Sequence, residues 1–352
     1  MQNLNLSLRT ITGVAIAALL SQPLAGCSGA TSSLPAAPVS ADSAHMYVPA
    51  AATAKGSAAQ RVSPDSGGQQ LFVSDDLNSK VYVYNAASKV STSTPERTIS
   101  IGTSNPQGIA VDKNGNLWVA NLSSNTVTEF AKNGSSPIFT MSQGMNGPVD
   151  VKVDDFGNVY VAMDGEFGGP NTIVEFAAGT SDPIASWNPP QNNMQITGIA
   201  LINPNVKGET SIYALESQTV GSITTGGLLT CSPGAYNEVC TSLGTNSYGQ
   251  TGGITIANSN PSKPFEYAAV DQYLPGVDET IPSAGTTKRL VIGGTPEDIT
   301  LNAKGTRLFV ADRFYGRVEE YTFPGNKEKI TFGAPGKTIL IGVATDPSGN
   351  YL

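Results

Sequence analysis

The sequence contains few of the residues on which most enzymes and metal sites depend. Its 352 residues include one histidine, His45, and three cysteines. Imidazole is the usual general base near neutral pH and the commonest metal ligand, so this scarcity argues against a Ser-His-Asp triad and most zinc sites. Only 14% of residues are charged, and the net charge is -8. With no clustered Lys and Arg, nucleic acid is excluded as a partner.

Glycine and proline are abundant, with 38 and 23 copies, while aromatic residues make up 7%. This composition, without long charged blocks, indicates a turn-rich β protein and argues against a helical bundle or a disordered chain.

Residues 1–26 have the features of an export signal. After Arg9, the apolar run from Ile11 to Leu20 is too short to span a bilayer as a helix. The tetrapeptide Leu24-Ala25-Gly26-Cys27 resembles a bacterial lipobox, which implies cleavage before Cys27 and acylation of that residue. Ser28 resembles the residue found in lipoproteins sorted to the outer membrane. We therefore expect a lipid-anchored protein of the bacterial cell envelope, the alternative being an ordinary signal peptide with an incidental cysteine.

Residues 27–65 are rich in Ala, Ser and Pro and contain few large apolar side chains. Such a segment cannot bury enough surface to offset its ordering entropy, so we interpret it as a flexible tether. His45 lies inside it, which leaves residues 66–352 without histidine.

A repeat occupies residues 66–352. Each unit has an apolar strand, an Asp/Asn-x-x-Gly turn, a second strand ending in an acid or amide, and a third strand. The clearest copy contains Gly108-Ile109-Ala110-Val111-Asp112 and then Gly115-Asn116-Leu117-Trp118-Val119-Ala120-Asn121. Six copies of about 40 to 55 residues predict a six-bladed β-propeller of four-stranded antiparallel blades.

The last residues, 342–352, repeat only the first strand of a unit, whereas the first copy is best preserved from its second strand onward. We expect this C-terminal strand to join the N-terminal blade and close the ring. The alternative is an unfinished seventh blade. The repeats resemble NHL repeats and TolB-like six-bladed propellers over residues 66–352, a resemblance that implies the fold and leaves the function open.

In such propellers, residues just before the innermost strands surround a central channel. In this sequence they are Gln107 and Gly108, Val149 and Asp150, Thr197 and Gly198, Gly252 and Gly253, Glu297 and Asp298, and Ile341 and Gly342. Asp150 and Asp298 fall at the same repeat position in the third and sixth blades and would face each other. With Glu297 they form a candidate cation or ligand site, for which Ca²⁺ is the cofactor suggested by the oxygen ligands. The alternative is solvated carboxylates at a channel mouth.

A second ring of polar residues ends the second strands of the six copies. These residues either bind a metal ion together or accept hydrogen bonds from nearby backbone N–H groups as local caps. The ring comprises Asp75, Asn121, Asp164, Glu216, Asp271 and Asp312.

Beyond that ring, Phe167, Tyr273, Phe314 and Tyr315 form a candidate binding rim, unless they fold back on their own loops. Cys231 and Cys240 lie nine positions apart, and in an exported protein we expect a disulfide between them.

No catalytic constellation is recognisable, so we expect a non-catalytic scaffold that binds an envelope protein or glycan and touches the membrane through its lipid anchor. The alternative is a metal-dependent lactonase or esterase resembling the gluconolactonase propellers. That family's metal-binding asparagines are absent from Pro106-Gln107-Gly108, Pro148-Val149-Asp150 and Pro296-Glu297-Asp298. Streptogramin-lyase and quinone-cofactor propellers depend on a histidine that residues 66–352 lack.

Overall fold

The described residues consist of strands and turns and contain no helix. In this computed structural model they are residues 69–165, 171–202, 210–220, 223–234, 236–246, 251–258, 266–271, 275–281, 286–325 and 327–346. Cys27 and His45 therefore lie outside the described residues. Within these ranges, no segment forms a helix long and apolar enough to cross a membrane.

The strands group into six sheets, numbered here along the chain. Sheet 1 has the order β25 (Leu340–Asp346), β1 (Gln70–Asp75), β2 (Lys80–Asn85), β3 (Arg97–Ile99). Sheet 2 contains β4 (Pro106–Val111), β5 (Leu117–Asn121), β6 (Thr126–Phe130) and β7 (Pro137–Met141). Sheet 3 contains β8 (Pro148–Val153), β9 (Val159–Met163), β10 (Thr172–Phe176) and β11 (Pro183–Asn188), with β15 (Glu238–Val239) added beside β11.

The remaining three sheets follow the same plan. Sheet 4 contains β12 (Met194–Ile202), β13 (Ser211–Val220), β14 (Ile223–Cys231) and β16 (Thr241–Asn246). Sheet 5 contains β17 (Thr251–Asn258), β18 (Glu266–Asp271), β19 (Gly276–Ile281) and β20 (Thr286–Val291). Sheet 6 contains β21 (Pro296–Leu301), β22 (Arg307–Asp312), β23 (Arg317–Thr322) and β24 (Glu328–Gly333).

The hairpins form where the repeats predict them. Asp112 Oδ1 accepts hydrogen bonds from the backbone N–H groups of Asn114 and Asn116, at 2.8 and 2.9 Å. Gly115 adopts φ 83°, a conformation that glycine reaches at little cost. Asp154 makes the same pair of bonds in sheet 3, so the Asp-x-x-Gly turns are confirmed.

Hydrophobic packing occurs between the sheets and forms a cycle. Most inner and middle strands are buried along their whole length, since both faces of each sheet need a neighbour. Six buried clusters occupy the six successive interfaces, and the cluster with Leu71, Phe309 and Phe332 joins sheet 6 to sheet 1. The architecture is an all-β propeller.

The C-terminal strand β25 pairs antiparallel with β1, as expected from the partial repeats at the two ends. It therefore completes sheet 1 and does not start a seventh sheet. Val343 and Leu340 of β25 contribute to the interface with sheet 6, and Lys132 of sheet 2 lies 3.0 Å from Asp346 at its end.

One addition was not predicted from the repeats. The segment between Cys231 and Cys240, which the structure joins by a disulfide, leaves sheet 4 and places β15 parallel to β11 of sheet 3. Trp187 Nε1 donates to the Ser232 carbonyl at 2.8 Å, and Cys240 N donates to the Asn188 carbonyl at 2.9 Å. The disulfide-closed segment thus connects sheets 3 and 4 at their outer edge.

Candidate functional site

The inner strands carry an irregularity at one equivalent position. In five sheets the pairing between first and second strand shifts at this point, and in sheet 1 it shifts between β25 and β1. The channel residues had been predicted to precede these strands. They lie within the strands, at the bulges, because the bulge turns the backbone toward the axis. Around the ring the residues at this position are Gly342, Gly108, Asp150, Gly198, Gly253 and Asp298.

Glycine at this position allows close approach between neighbouring sheets. A Cβ on Gly108 would overlap Asp150 Oδ1 and lie 2.8 Å from Asp150 Cα. A Cβ on Gly253 would likewise overlap Asp298 Oδ1 and lie 2.9 Å from Asp298 Cα. Each aspartate therefore requires a glycine in the preceding sheet.

Each aspartate also bonds to the following sheet. Asp150 Oδ2 accepts the N–H of Ile199 in sheet 4 at 2.9 Å. Asp298 Oδ2 accepts the N–H of Val343 in sheet 1 at 3.0 Å. The other oxygen of each accepts the N–H of its own next residue at 2.8 Å. Each carboxylate thus connects three consecutive sheets, and the two carboxylates lie on opposite sides of the ring.

Asp150 and Asp298 are buried, with 3% and 7% of their surface exposed. The interpretation of these groups as solvated carboxylates is therefore wrong. The sequence pattern could not show whether these carboxylates are solvated or buried. A buried carboxylate is tolerated only when hydrogen-bond donors surround it, and those donors come from a different sheet.

Lys152, which was not predicted as a site residue, lies beside the two aspartates. It is buried, and its Nζ lies 2.7 Å from Asp150 Oδ1. Burial raises the pKa of Asp298, Lys152 and the two backbone N–H donors lower it, and the Asp150 carboxylate raises it; together they bring the pKa to about 7. The Asp150-x-Lys152 spacing, which places both side chains on one face of a strand, was the available sequence signal.

A cavity of about 230 Å³ opens above these groups, surrounded by the inner strands of all six sheets. Ten of the twelve residues predicted to surround the channel line it. The polar lining residues are Gln107, Asp150, Asp164, Gln195, Thr197, Glu297, Asp298 and Arg313. A second cavity of about 10 Å³, lined by Lys152, Thr255 and Thr300, lies farther along the inner strands.

Glu297, the third predicted carboxylate, lies at the cavity with Arg313. Arg313 Nη1 is 3.2 Å from Glu297 Oε1, and the two side chains are 50% and 13% exposed. Arg313 was not predicted, although it directly follows Asp312, the last residue of a second strand.

The second-strand ring acts locally. Asp312 Oδ1 accepts the N–H groups of Thr295, Phe314 and Tyr315, and Asn121 Oδ1 accepts that of Ser104. Asp75 bonds to Asn78, Tyr82 and Ile339. These three residues join the turn after the second strand to the loop before the first, which agrees with the capping alternative.

The other residues of the second-strand ring differ from these three. Asp164 lines the cavity and Glu216 is buried, with burial raising the pKa of Glu216 to about 7. The Asp271 side chain lies outside the described residues.

Two of the four predicted rim aromatics are described. Phe314 and Tyr315 are 72% and 50% exposed in the turn between β22 and β23. Phe167 and Tyr273 lie outside the described residues.

The residues at the cavity do not fit a divalent metal. All four carboxylate oxygens of Asp150 and Asp298 accept hydrogen bonds from backbone N–H groups of the inner strands. Asp150 Oδ1 also contacts the Lys152 ammonium. A metal ion would have to displace that ammonium. Across the part of the chain that the structure describes, no three His, Cys, Asp or Glu side chains are arranged to hold a metal ion.

Comparisons with known proteins agree with the propeller architecture. The family model described as "SMP-30/Gluconolactonase/LRE-like region" matches residues 51–142. A search of curated proteins finds no match to the chain. A solved structure titled "Crystal structure of Nidogen/Laminin Complex" is similar with a TM-score of 0.60 and 16% identity, covering 79% of this chain and 98% of that one. A functionally unknown protein from Desulfotomaculum acetoxidans DSM 771 has a TM-score of 0.54, 14% identity and the same coverages. At these identities the likeness shows the fold alone.

We predict that Gly108→Ala destabilises the protein by about 1–3 kcal/mol, because the new methyl group would displace the backbone of Asp150. Gly293→Ala is the matched control, since the nearest atoms to its Cβ lie 3.9 Å away on Tyr315. Urea unfolding followed by circular dichroism measures both. Equal midpoints for the two variants would contradict the close approach.

We also predict a pH dependence from Asp298. Its pKa in the folded chain is about 7, above the ordinary 3.8, so the folded chain holds more protons between these values. The free energy of unfolding should therefore fall as pH rises from about 4 to about 7. Asp298→Asn should flatten part of this slope in urea unfolding at pH 5, 6, 7 and 8, while the exposed Asp182→Asn should leave it unchanged. A wild-type slope in Asp298→Asn would refute the assignment.

Proposed function

We propose that the chain is a lipid-anchored binding propeller of the bacterial cell envelope, attached to the outer membrane through Cys27. In this proposal the six sheets are six blades of an NHL or TolB-like ring. The cyclic order of the six buried interfaces supports the blade count. The lipobox-like residues 24–27 support the anchor.

The proposed activity is non-catalytic recognition at the cavity-bearing face. The observation that carries this proposal is that the carboxylates at the centre of the ring already have partners within the protein. Asp150 and Asp298 bond to the backbone of neighbouring sheets, and Lys152 neutralises Asp150. Groups used in this way stabilise the ring and are not available as a metal cradle or as a solvated general base. The polar residues left at the mouth can contact a ligand without chemistry.

The second candidate is a metal-dependent lactonase or esterase, and the family-model match over residues 51–142 favours it. It requires metal-binding side chains at the cavity, where this chain has Gln107, Val149 and Glu297 in place of the expected asparagines. Only Glu297 of these three can supply a carboxylate, and it already pairs with Arg313.

Metal titration combined with a turnover assay separates the two candidates. The purified full chain is titrated with Ca²⁺, Mg²⁺, Mn²⁺ and Zn²⁺ by calorimetry, then incubated with gluconolactone and p-nitrophenyl acetate with and without each metal. We expect no saturable metal binding and no hydrolysis above buffer. Metal-dependent hydrolysis that Glu297→Gln abolishes, with an unchanged circular dichroism spectrum, would establish the lactonase candidate.

The anchor is tested independently through Cys27. We expect the wild-type chain expressed in a Gram-negative bacterium to partition into the detergent phase of Triton X-114, because its acyl chains bury methylenes worth about 0.8 kcal/mol each. Cys27→Ala should move the protein to the aqueous phase, whereas Ser28→Ala should not. A Cys27→Ala protein that still follows the detergent would disprove lipidation.

A further inference from the structure

An exposed aromatic pair directly follows Arg313, a residue that lines the central cavity. Phe314 and Tyr315, here called the aromatic rim, contact each other edge to face with ring centroids 5.0 Å apart. The Arg317 guanidinium lies over the Tyr315 ring at 4.6 Å and supports it. Asp312 accepts both backbone N–H groups of the pair. The rim is thus held rigidly, with Phe314 72% exposed, so binding there costs little ordering entropy.

The residue before Phe314 connects the rim to the cavity. Arg313 lines the cavity together with four carboxylates, those of Asp150, Asp164, Glu297 and Asp298. Of the described lining residues, Arg313 alone carries a positive charge. The buried Lys152 beside Asp150 offsets a second of the four negative charges. The net charge around the cavity is still negative, so the potential inside it favours a cation and disfavours an anion.

We propose that the cavity and the aromatic rim form one docking site for a partner protein, which inserts a single Lys or Arg side chain into the cavity and packs an adjacent apolar residue on Phe314. The proposal rests on the binding function above and specifies its ligand. A cavity of about 230 Å³ is smaller than the pockets of about 300–1,000 Å³ that enclose small-molecule ligands. Its size suits one side chain better than a sugar chain.

The composition of the site is that of a protein-interface hot spot. Aromatic residues and arginine are enriched at such centres, and charge complementarity selects the partner. Arg313 provides an internal example of the proposed ligand, because its own guanidinium already pairs with Glu297 at 3.2 Å. A half-exposed ion pair of this kind contributes only about 0–1 kcal/mol. An incoming basic side chain can therefore replace it on Glu297.

The proposal predicts opposite effects for two neighbouring residues. Phe314→Ala should weaken binding at least about tenfold, because it removes the apolar anchor. Arg313→Ala should strengthen binding severalfold, because it removes the cation that competes with the ligand for Glu297. Glu297→Gln should weaken binding and reduce its salt dependence. Ile138→Ala, an exposed apolar residue on the outer strand of sheet 2, is the matched control and should change nothing.

The experiment pans a phage-displayed library of random dodecapeptides against the purified full chain. Enriched peptides are synthesised with a fluorescent label, and their dissociation constants are measured by anisotropy for each variant. We expect enrichment of peptides with Lys or Arg next to an apolar residue, and loss of binding when the basic residue is replaced by norleucine. Circular dichroism of each variant verifies its fold.

Three outcomes would overturn the docking site: no enriched peptide, enriched peptides without a basic residue, or weaker binding by Arg313→Ala. Chito- and cello-oligosaccharides are tested as competitors in the same assay. Saturable binding of one of them that depends on Phe314 would replace the protein partner by a glycan while keeping the proposed binding function. Loss of that function is a separate result, because it follows only from metal-dependent hydrolysis.

Discussion

Close approach of the inner strands is the constraint on which the rest of the structure depends. Six sheets meet at one ring of equivalent positions, and a side chain at each of them would leave no room for closure. The chain places glycine at four of these positions and aspartate at two, three sheets apart. Each aspartate occupies the space that the preceding glycine leaves empty and bonds to the backbone of the following sheet. Ring closure and the chemistry of the channel are therefore decided by the same residues.

This double use limits what the centre of the propeller can do. A carboxylate that satisfies buried N–H groups stabilises the fold, and removing it would leave those donors unpaired at a cost of about 1–3 kcal/mol each. The buried Lys152 reinforces the limit, since an ion pair out of water requires both partners. Using these buried groups for chemistry would therefore weaken the ring that they stabilise. The residues free of this conflict are the more exposed Glu297 and Arg313 of the cavity and the aromatic rim that follows Arg313 in the chain.

The sequence predicted the propeller well because its local signals repeat. An apolar strand, an Asp-x-x-Gly turn and an acid or amide at the strand end are each short-range features, and their recurrence identified the repeated sheets and the pairing of β25 with β1. The predicted lining of the channel was also largely correct, since equivalent positions in a repeat fold occupy equivalent places. By contrast, the burial of Asp150 and Asp298 could not be predicted. It depends on donors contributed by Ile199 and Val343, 49 and 45 residues away.

Arg313 shows why residue type and repeat position together were not enough to predict every residue of the candidate site. It follows Asp312 where sheet 1 has Asp76 after Asp75, so the two neighbouring sheets place opposite charges at equivalent turn positions. The Asp76 carboxyl is half-buried; burial raises its pKa, and Asn105, Gln107 and Arg313 lower it. Arg313 therefore acts on carboxylates of sheets 1 and 6 at once. A cation in this location moderates the negative potential of the mouth without neutralising it, because the four carboxylates that line the cavity outnumber the two described cations beside them, Arg313 and Lys152. The mouth remains a place where a basic group from outside is favoured, and the rigid aromatic turn beside it supplies the apolar contact that charge alone cannot provide.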